Sequence, residues 1–137
     1  MAKKPVVLHI VQAFDEAIRF FDMWQVPPRG GMVHSFNGTW AQAEQYIKRG
    51  LKISIGGPLI RSKNEKLRQA VREIPISELL IETDLPDQPG DRWKGELNPP
   101  ESLLGVAEEI ARLKNLSQAE VLQFTEQNFK TLFQVEI

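Results

Sequence analysis

The chain has 137 residues, of which 42% are hydrophobic and 26% charged, and its formal net charge is −1. This is enough for one domain with a buried core, but the charge gives no overall basic field to attract nucleic acid, and the lack of cysteine excludes disulfides, thiolate metal cages and a cysteine nucleophile. No apolar run reaches the roughly 18 residues of a membrane span, and the start, MAKKP, lacks a signal-peptide core, so we expect a cytoplasmic protein.

The first half of the chain alternates predicted strands and helices. PVVLHIV (5–11) is compact and β-branched, which favours a buried strand. The following segment predicts a helix because apolar residues recur every three or four positions, at Ala13, Ala17, Phe20, Phe21 and Trp24. MVHSF (32–36) is the second strand, and WAQAEQYIKR (40–49) is a helix with Gly50 at its left-handed cap.

The second half repeats the alternation. LKISIGG (51–57) and ELLIETD (78–84) are the third and fourth strands, separated by a helix over 62–74 in which Ser62 and Glu65 have the spacing of a capping box. A loop rich in Pro, Gly and Asp covers 85–98, and Asn98 is the expected N-cap of the next helix. Ser117 and Glu120 predict a second capping box before the last helix.

The order β-α-β-α-β-α-β-α-α is typical of a parallel sheet covered by helices. A TIM-type (β/α)₈ barrel has about 250 residues, or roughly 31 for each βα unit. Both the length and the element count therefore predict four units. We interpret residues 1–137 as one incomplete domain, an α/β half-barrel with about four parallel strands and covering helices.

Three residues at or near strand ends are candidate metal ligands: His9, His34 and Asp84. In parallel α/β proteins ligands bind beyond the carboxyl ends of the strands. Imidazole and carboxylate suit Zn²⁺, Fe²⁺ or Mn²⁺, and such a metal assists hydrolysis by lowering the pKa of a water. Glu82 lies on the same side as Asp84 if the strand continues, and it is a hydrogen-bond acceptor behind the ligands. The alternative is that all four are polar residues of the sheet rim.

The loop after the fourth strand carries the candidate substrate contacts. Arg92 and Lys94 are placed to touch an anionic substrate, and Trp93 to stack on a base. The alternatives are a solvated loop surface and an aromatic side chain that fastens the loop. The sequence has no P-loop, nucleophile elbow or dinucleotide-binding glycine pattern.

With these residues identified, the sequence resembles the TatD family of metal-dependent deoxyribonucleases, which are amidohydrolase-like TIM barrels. The similar stretches occur in family order and cover nearly the whole chain. They are PVVLH (5–9), VHSFNGT (33–39), ISIGG (53–57), IPISELLIETDLPD (74–87), KGELNPP (94–100) and TEQNFKTLF (125–133). The LLIETDLPD stretch is the most specific of them.

The resemblance implies a phosphodiesterase that acts on DNA with a divalent metal, Mg, Mn or Zn. It implies that His9, His34 and Asp84 are metal ligands, and we expect Asp84 and Glu82 to carry the catalytic chemistry. The family's H-x-H pair and bridging glutamate belong to the other half of the barrel, so this chain resembles the carboxyl-terminal half. It departs from the family at Ile10-Val11-Gln12, where an arginine is frequent, and at Asn37, where serine is common.

Three functions remain open at this point. The first is a DNA-cleaving metal hydrolase that needs self-association, or a separate amino-terminal half, to be active. The second is a catalytically inactive fragment that serves as a binding module. The third is a mononuclear Fe(II) oxygenase with two histidines and one carboxylate, a site more often found on β-rich scaffolds. A half-barrel exposes two strand edges and an apolar face, so we expect a homo-oligomer or another covering partner, and no membrane association.

Overall fold

The computed structural model describes residues 3–135 and, in that range, contains four strands and five α-helices. In chain order they are β1 (Val6–His9), α1 (Phe14–Trp24), β2 (Gly31–His34), α2 (Trp40–Ile47), β3 (Leu51–Ile55), α3 (Glu65–Glu73), β4 (Leu79–Ile81), α4 (Ser102–Lys114) and α5 (Gln118–Phe133). Short 3₁₀ turns lie at Gly57–Ile60, Ile76–Glu78 and Asp91–Trp93. Within the same range no helix is both long and apolar enough to cross a bilayer.

The four strands form one sheet in the order β1-β2-β3-β4, and every neighbouring pair is parallel. The register places His9 opposite His34 and Ile55 opposite Ile81. The carboxyl ends of all four strands therefore meet at one edge of the sheet. This confirms the predicted α/β class with four parallel strands.

The main core lies between the helices and one face of the sheet. Val33, Ile53 and Leu79 are neighbours in register on that face and are at most 2% exposed. Each such aliphatic side chain contributes about 1.5–3 kcal/mol when it is fully buried. On the opposite face Met32 and Leu80 form a smaller cluster with Leu132 at the end of α5. The last helix therefore covers part of the second face of the sheet.

Helix α1 is confirmed, but much of its apolar surface is exposed. Of its apolar residues only Phe21 is fully buried, whereas Phe20, Met23 and Trp24 are 58%, 72% and 63% exposed. On the neighbouring edge strand β1, Val7 is 57% exposed. Within the described range β1 and β4 each pair with one strand only. The sheet therefore has two open edges, and an apolar surface runs along the β1 edge.

The fourth strand ends at Ile81, three residues earlier than predicted. Glu82 and Asp84 consequently lie in the segment that follows the strand, where strict side-chain alternation no longer holds. They are therefore positioned by loop contacts as well as by the sheet.

Two of the three predicted N-terminal helix caps are wrong. Helix α3 follows Asn64 with no side-chain cap, and the backbone N–H of Ser62 donates instead to Asp91. Helix α4 begins at Ser102, and Asn98 lies upstream of it as a buried residue. The box formed by Ser117 and Glu120 is confirmed. Both errors adjoin the 85–98 loop, whose tertiary contacts compete with local capping.

Candidate functional site

The two histidines lie side by side at the carboxyl edge of the sheet. His9 ends β1 and His34 ends β2, and their ring centroids are 5.6 Å apart. His9 is exposed, whereas the His34 side chain is 24% exposed. The parallel register brings the rings together, as the strand-end pattern predicts.

Glu82 is surrounded by donors from β2, β3 and the turn after β2. Its Oε1 accepts from the backbone N–H of Ser35 at 2.6 Å and lies 2.9 Å from His34 Nδ1. Its Oε2 accepts from the hydroxyl of Ser54. The side chain is 15% exposed. The structure therefore places Glu82 behind His34 as a hydrogen-bond acceptor.

Asp84 lies on the opposite side of the His34 ring. Asp84 Oδ1 is 3.3 Å from His34 Nε2, and Asp84 Oδ2 accepts from the side-chain amide of Gln88 at 2.9 Å. The same amide nitrogen lies 3.2 Å from the hydroxyl of Ser35. One carboxylate oxygen is thus held by the protein, and the other faces the imidazole.

The pair formed by His34 Nε2 and Asp84 Oδ1 fits a divalent metal. Two ligands about 2.1 Å from a tetrahedral ion are about 3.4 Å apart, close to the spacing of this pair. A carboxylate on the other imidazole nitrogen, as Glu82 provides, is the usual partner of a metal-binding histidine. Among residues 3–135, however, no three His, Asp or Glu side chains form a group that could hold a metal. His9 is adjacent but does not complete a third ligand, so the described residues offer two converging donors.

The loop after β4 is held against the sheet by close backbone packing. A Cβ added to Gly57 would lie 2.0 Å from the carbonyl oxygen of Gln88. Only glycine lets the loop approach this closely, so Gly57 makes room for the loop that carries Gln88. From the other side buried Asn98 donates its backbone N–H to Pro86 and its side-chain amide to Asp87. These contacts place Asp84 and Gln88.

A cleft of about 700 Å³ opens beside the histidines. It is lined by His9, His34 and Gln88 and, from the helices, by residues that include Tyr46 and Lys66. Burial raises the pKa of Tyr46 to about 12, so its hydroxyl stays neutral at physiological pH. Neither Gln88 nor Lys66 is among the site residues predicted from the sequence. A glutamine in a loop and a lysine at the start of a helix are common on protein surfaces, so only the tertiary structure reveals that they line the cleft.

Among residues 3–135, six residues other than glycine have positive φ angles; three of them lie at this cleft and the other three are helix C-caps. Gln12, Ser35 and Gln88 line the cleft, and all three have positive φ angles, of 52°, 49° and 55°. Residues other than glycine rarely adopt this left-handed conformation, and such residues cluster at functional sites. Their presence supports the cleft as the functional part of the molecule.

The predicted substrate contacts lie elsewhere. Arg92 and Trp93 line a second groove of about 840 Å³ between the 85–98 loop and helix α4, and the Arg92 guanidinium sits 5.3 Å from the Trp93 ring centroid. Lys94 is exposed on the same loop. Neighbouring Asp91 is held by Ser62, and these hydrogen bonds keep the pKa of its carboxyl below the usual range. The structure therefore does not bring these three residues together with the histidines in one cleft.

Comparison with known proteins finds a matching family model and relatives that are named metal-dependent hydrolases. Residues 1–134 match the family model described as TatD related DNase. The chain is 34% identical to the uncharacterized metal-dependent hydrolase YjjV of Escherichia coli K12 over 131 residues, which are 96% of this chain and 50% of YjjV. It is 32% identical to the uncharacterized metal-dependent hydrolase YabD of Bacillus subtilis, covering 96% of this chain and 51% of YabD.

A solved structure also matches this chain over about half of its own length. The crystal structure of YjjV, a TatD homolog, superposes with a TM-score of 0.89 at 33% identity, over 96% of this chain and 51% of that chain. The chain thus spans about half the length of the relatives it matches. This confirms the predicted half-barrel, with four parallel strands instead of eight.

Proposed function

Because the chain belongs to the TatD family, we propose that it forms part of a metal-dependent hydrolase that cleaves phosphodiester bonds in DNA. The supporting observation is the facing pair of His34 Nε2 and Asp84 Oδ1, 3.3 Å apart beside a cleft at the carboxyl edge of a parallel sheet. The family description supports DNA as the substrate. The metal of this proposal is a divalent ion, Mg, Mn or Zn.

In this proposal His34 and Asp84 hold the metal, and His9 stands next to them at the mouth of the cleft. When bound, the metal supplies Lewis-acid stabilisation of the negative charge that develops on a phosphodiester, and a more acidic water. The cleft admits the substrate backbone beside this pair. Glu82 acts through His34.

Phosphate recognition involves Lys66 in this proposal. Lys66 is exposed at the start of α3 and lines the same cleft as the histidines. Arg92, Trp93 and Lys94 remain candidates for contacts with DNA that extends beyond the cleft, since a stacked arginine and an indole suit single-stranded bases. The groove they occupy also contains Glu109, which pairs with Arg68 and Arg112.

The active form needs a covering partner in this proposal. A catalytic zinc site usually has three protein ligands, and two-metal sites have more, whereas two donors converge here. The open edges of β1 and β4 and the exposed apolar side chains of α1 are association-prone. A second copy of this chain, or a polypeptide equivalent to the remaining half of YjjV, would cover these edges and contribute ligands.

A second candidate is a catalytically inactive binding module. It is favoured by the lack of a three-residue metal-binding group among residues 3–135. Such a module keeps the fold and the cleft but catalyses no reaction. The related proteins named above are hydrolases, so they give no support to an Fe(II) oxygenase.

The test is cleavage of single-stranded DNA with Mn²⁺ or Mg²⁺ by the chain alone and by the chain mixed with a separately produced amino-terminal half of YjjV. Asp84→Ala should abolish any activity, and Asp15→Ala, which changes another acidic residue of the cleft, should keep it. Activity of the chain alone at dimeric mass identifies a second copy as the partner, and activity only in the mixture identifies the other half. Inactivity in both, with DNA still bound, favours the binding module.

A further inference from the structure

We propose that Glu82 and Gln88 are positioning residues that hold His34 and Asp84 in their facing arrangement before any metal arrives. This inference rests on the proposed function of the same site. It assigns Glu82 a role through His34, in place of direct catalysis, and gives a role to a glutamine that no sequence pattern identifies. The two residues act on opposite sides of the donor pair.

Glu82 sets which nitrogen of His34 carries the proton. His34 Nδ1 lies 2.9 Å from Glu82 Oε1, close enough for a proton on Nδ1 to be donated to the carboxylate. The contact from Nε2 to Asp84 is longer, 3.3 Å, beyond the usual N–H···O range. The proton therefore belongs on Nδ1, which leaves the lone pair of Nε2 facing Asp84. Ser35 and Ser54 keep both oxygens of Glu82 engaged, so the carboxylate cannot rotate away.

Gln88 sets which oxygen of Asp84 is available. Its amide holds Oδ2 at 2.9 Å, so Oδ1 is the oxygen that faces His34. The amide also reaches the hydroxyl of Ser35, the residue next to His34. The backbone of Gln88 is in the left-handed conformation, and its carbonyl packs on Gly57. Gln88 thus links the ends of β2, β3 and β4 around the donor pair.

The consequence is a donor pair that is already arranged in the metal-free protein. Groups that orient metal ligands are typically worth 10–100-fold in metal affinity. Removing the side chain of Glu82 or of Gln88 should therefore weaken metal binding while the fold persists. Only the removal of Glu82 should change which nitrogen of His34 carries the proton.

The first measurement uses ¹⁵N spectra of the His34 ring in the metal-free chain, at a pH where the ring carries one proton. Wild type and Gln88→Leu should hold that proton on Nδ1, because both keep Glu82. Glu82→Gln should do the same, because the new glutamine retains an acceptor oxygen. Glu82→Ala should share it between both nitrogens. The matched controls are Glu78→Gln, a carboxylate paired with Lys52 elsewhere on the sheet, and Gln118→Leu, a glutamine that donates to a backbone carbonyl of α4. Both should match wild type.

The second measurement is the Kd for Mn²⁺ by calorimetry. Glu82→Ala and Gln88→Leu should raise it about 10–100-fold, Glu82→Gln should raise it less than Glu82→Ala does, and the two controls should leave it unchanged. A proton on Nε2 in wild type, or a Gln88→Leu affinity equal to that of Gln118→Leu, overturns the inference. If wild type binds no Mn²⁺, metal binding by the isolated chain is refuted, and the inference is judged without metal. The His34 spectra then test the positioning role of Glu82. The role of Gln88 is tested by hydrogen exchange of its side-chain amide, which should be protected in wild type and unprotected in Asp84→Ala.

Discussion

Replacing Gly57 with alanine should disturb the site although Gly57 bears no functional group. The added Cβ would lie 2.0 Å from the Gln88 carbonyl oxygen, where ordinary contact begins near 3.4 Å, so the loop must move by about 1.4 Å. The obstacle is backbone, which cannot turn aside as a side chain can. Such overpacking costs about 1–3 kcal/mol, which lowers Tm by roughly 4–12 °C in a domain of this size.

The adjacent glycine provides a matched control. A Cβ on Gly56 would lie 3.4 Å from Glu82, an ordinary contact, and Gly56 has an extended backbone that alanine adopts readily. Gly57→Ala should therefore lower Tm and weaken Mn²⁺ binding by displacing Gln88 and Asp84, whereas Gly56→Ala should change both little. Thermal unfolding and calorimetry on the two variants check this. Equal effects of the two substitutions would refute the idea that loop packing on Gly57 positions the site.

Three further predictions follow from other parts of the molecule. Burial raises the pKa of Tyr46 from 10.0 to about 12, so the folded state keeps a proton that the unfolded chain loses, and up to about 3 kcal/mol of stability disappears between pH 10 and 12. Urea unfolding of Tyr46→Phe should lack this loss, and an unchanged pH profile would count against it. Ser117→Ala removes a confirmed cap and should cost about 1 kcal/mol in the same assay, with no change in metal affinity. Replacing exposed Phe20 and Trp24 with serine should leave the fold of the monomer intact but reduce any dimer to the 15.6 kDa monomer by light scattering; a dimer that survives would place the interface elsewhere.

The sequence was sufficient to predict the sheet and the position of its histidines. Short apolar segments alternating with amphipathic ones specify parallel strands, and parallel strands bring their carboxyl ends together. His9 and His34 were therefore expected to converge if their strands lie side by side, and β1 and β2 are neighbours in the sheet. The TatD resemblance covered the same stretches and is confirmed by the family match.

The sequence could not predict how the loop after β4 is arranged. Alternation along the strand suggested that Glu82 and Asp84 point the same way, but the strand ends at Ile81 and the two carboxylates lie on different nitrogens of one imidazole. Proximity in sequence placed Arg92 near Asp84, whereas the loop carries it into a separate groove. Gln88 depends on the close approach to Gly57, which exists only in three dimensions. Helical periodicity likewise gave α1 correctly but not which of its aromatic residues remain exposed.

The central claim, that His34 and Asp84 hold a divalent metal, is tested most directly by titrating Mn²⁺ into the chain while observing its histidine ring signals. The chain has two histidines, so the spectrum contains one ring from each. Paramagnetic broadening should affect His34 first, at low Mn²⁺, with His9 close behind because its ring centroid lies 5.6 Å away, and Asp84→Ala should abolish this selectivity. Equal broadening of signals throughout the protein would contradict the claim, and so would selective broadening of His34 that persists in Asp84→Ala.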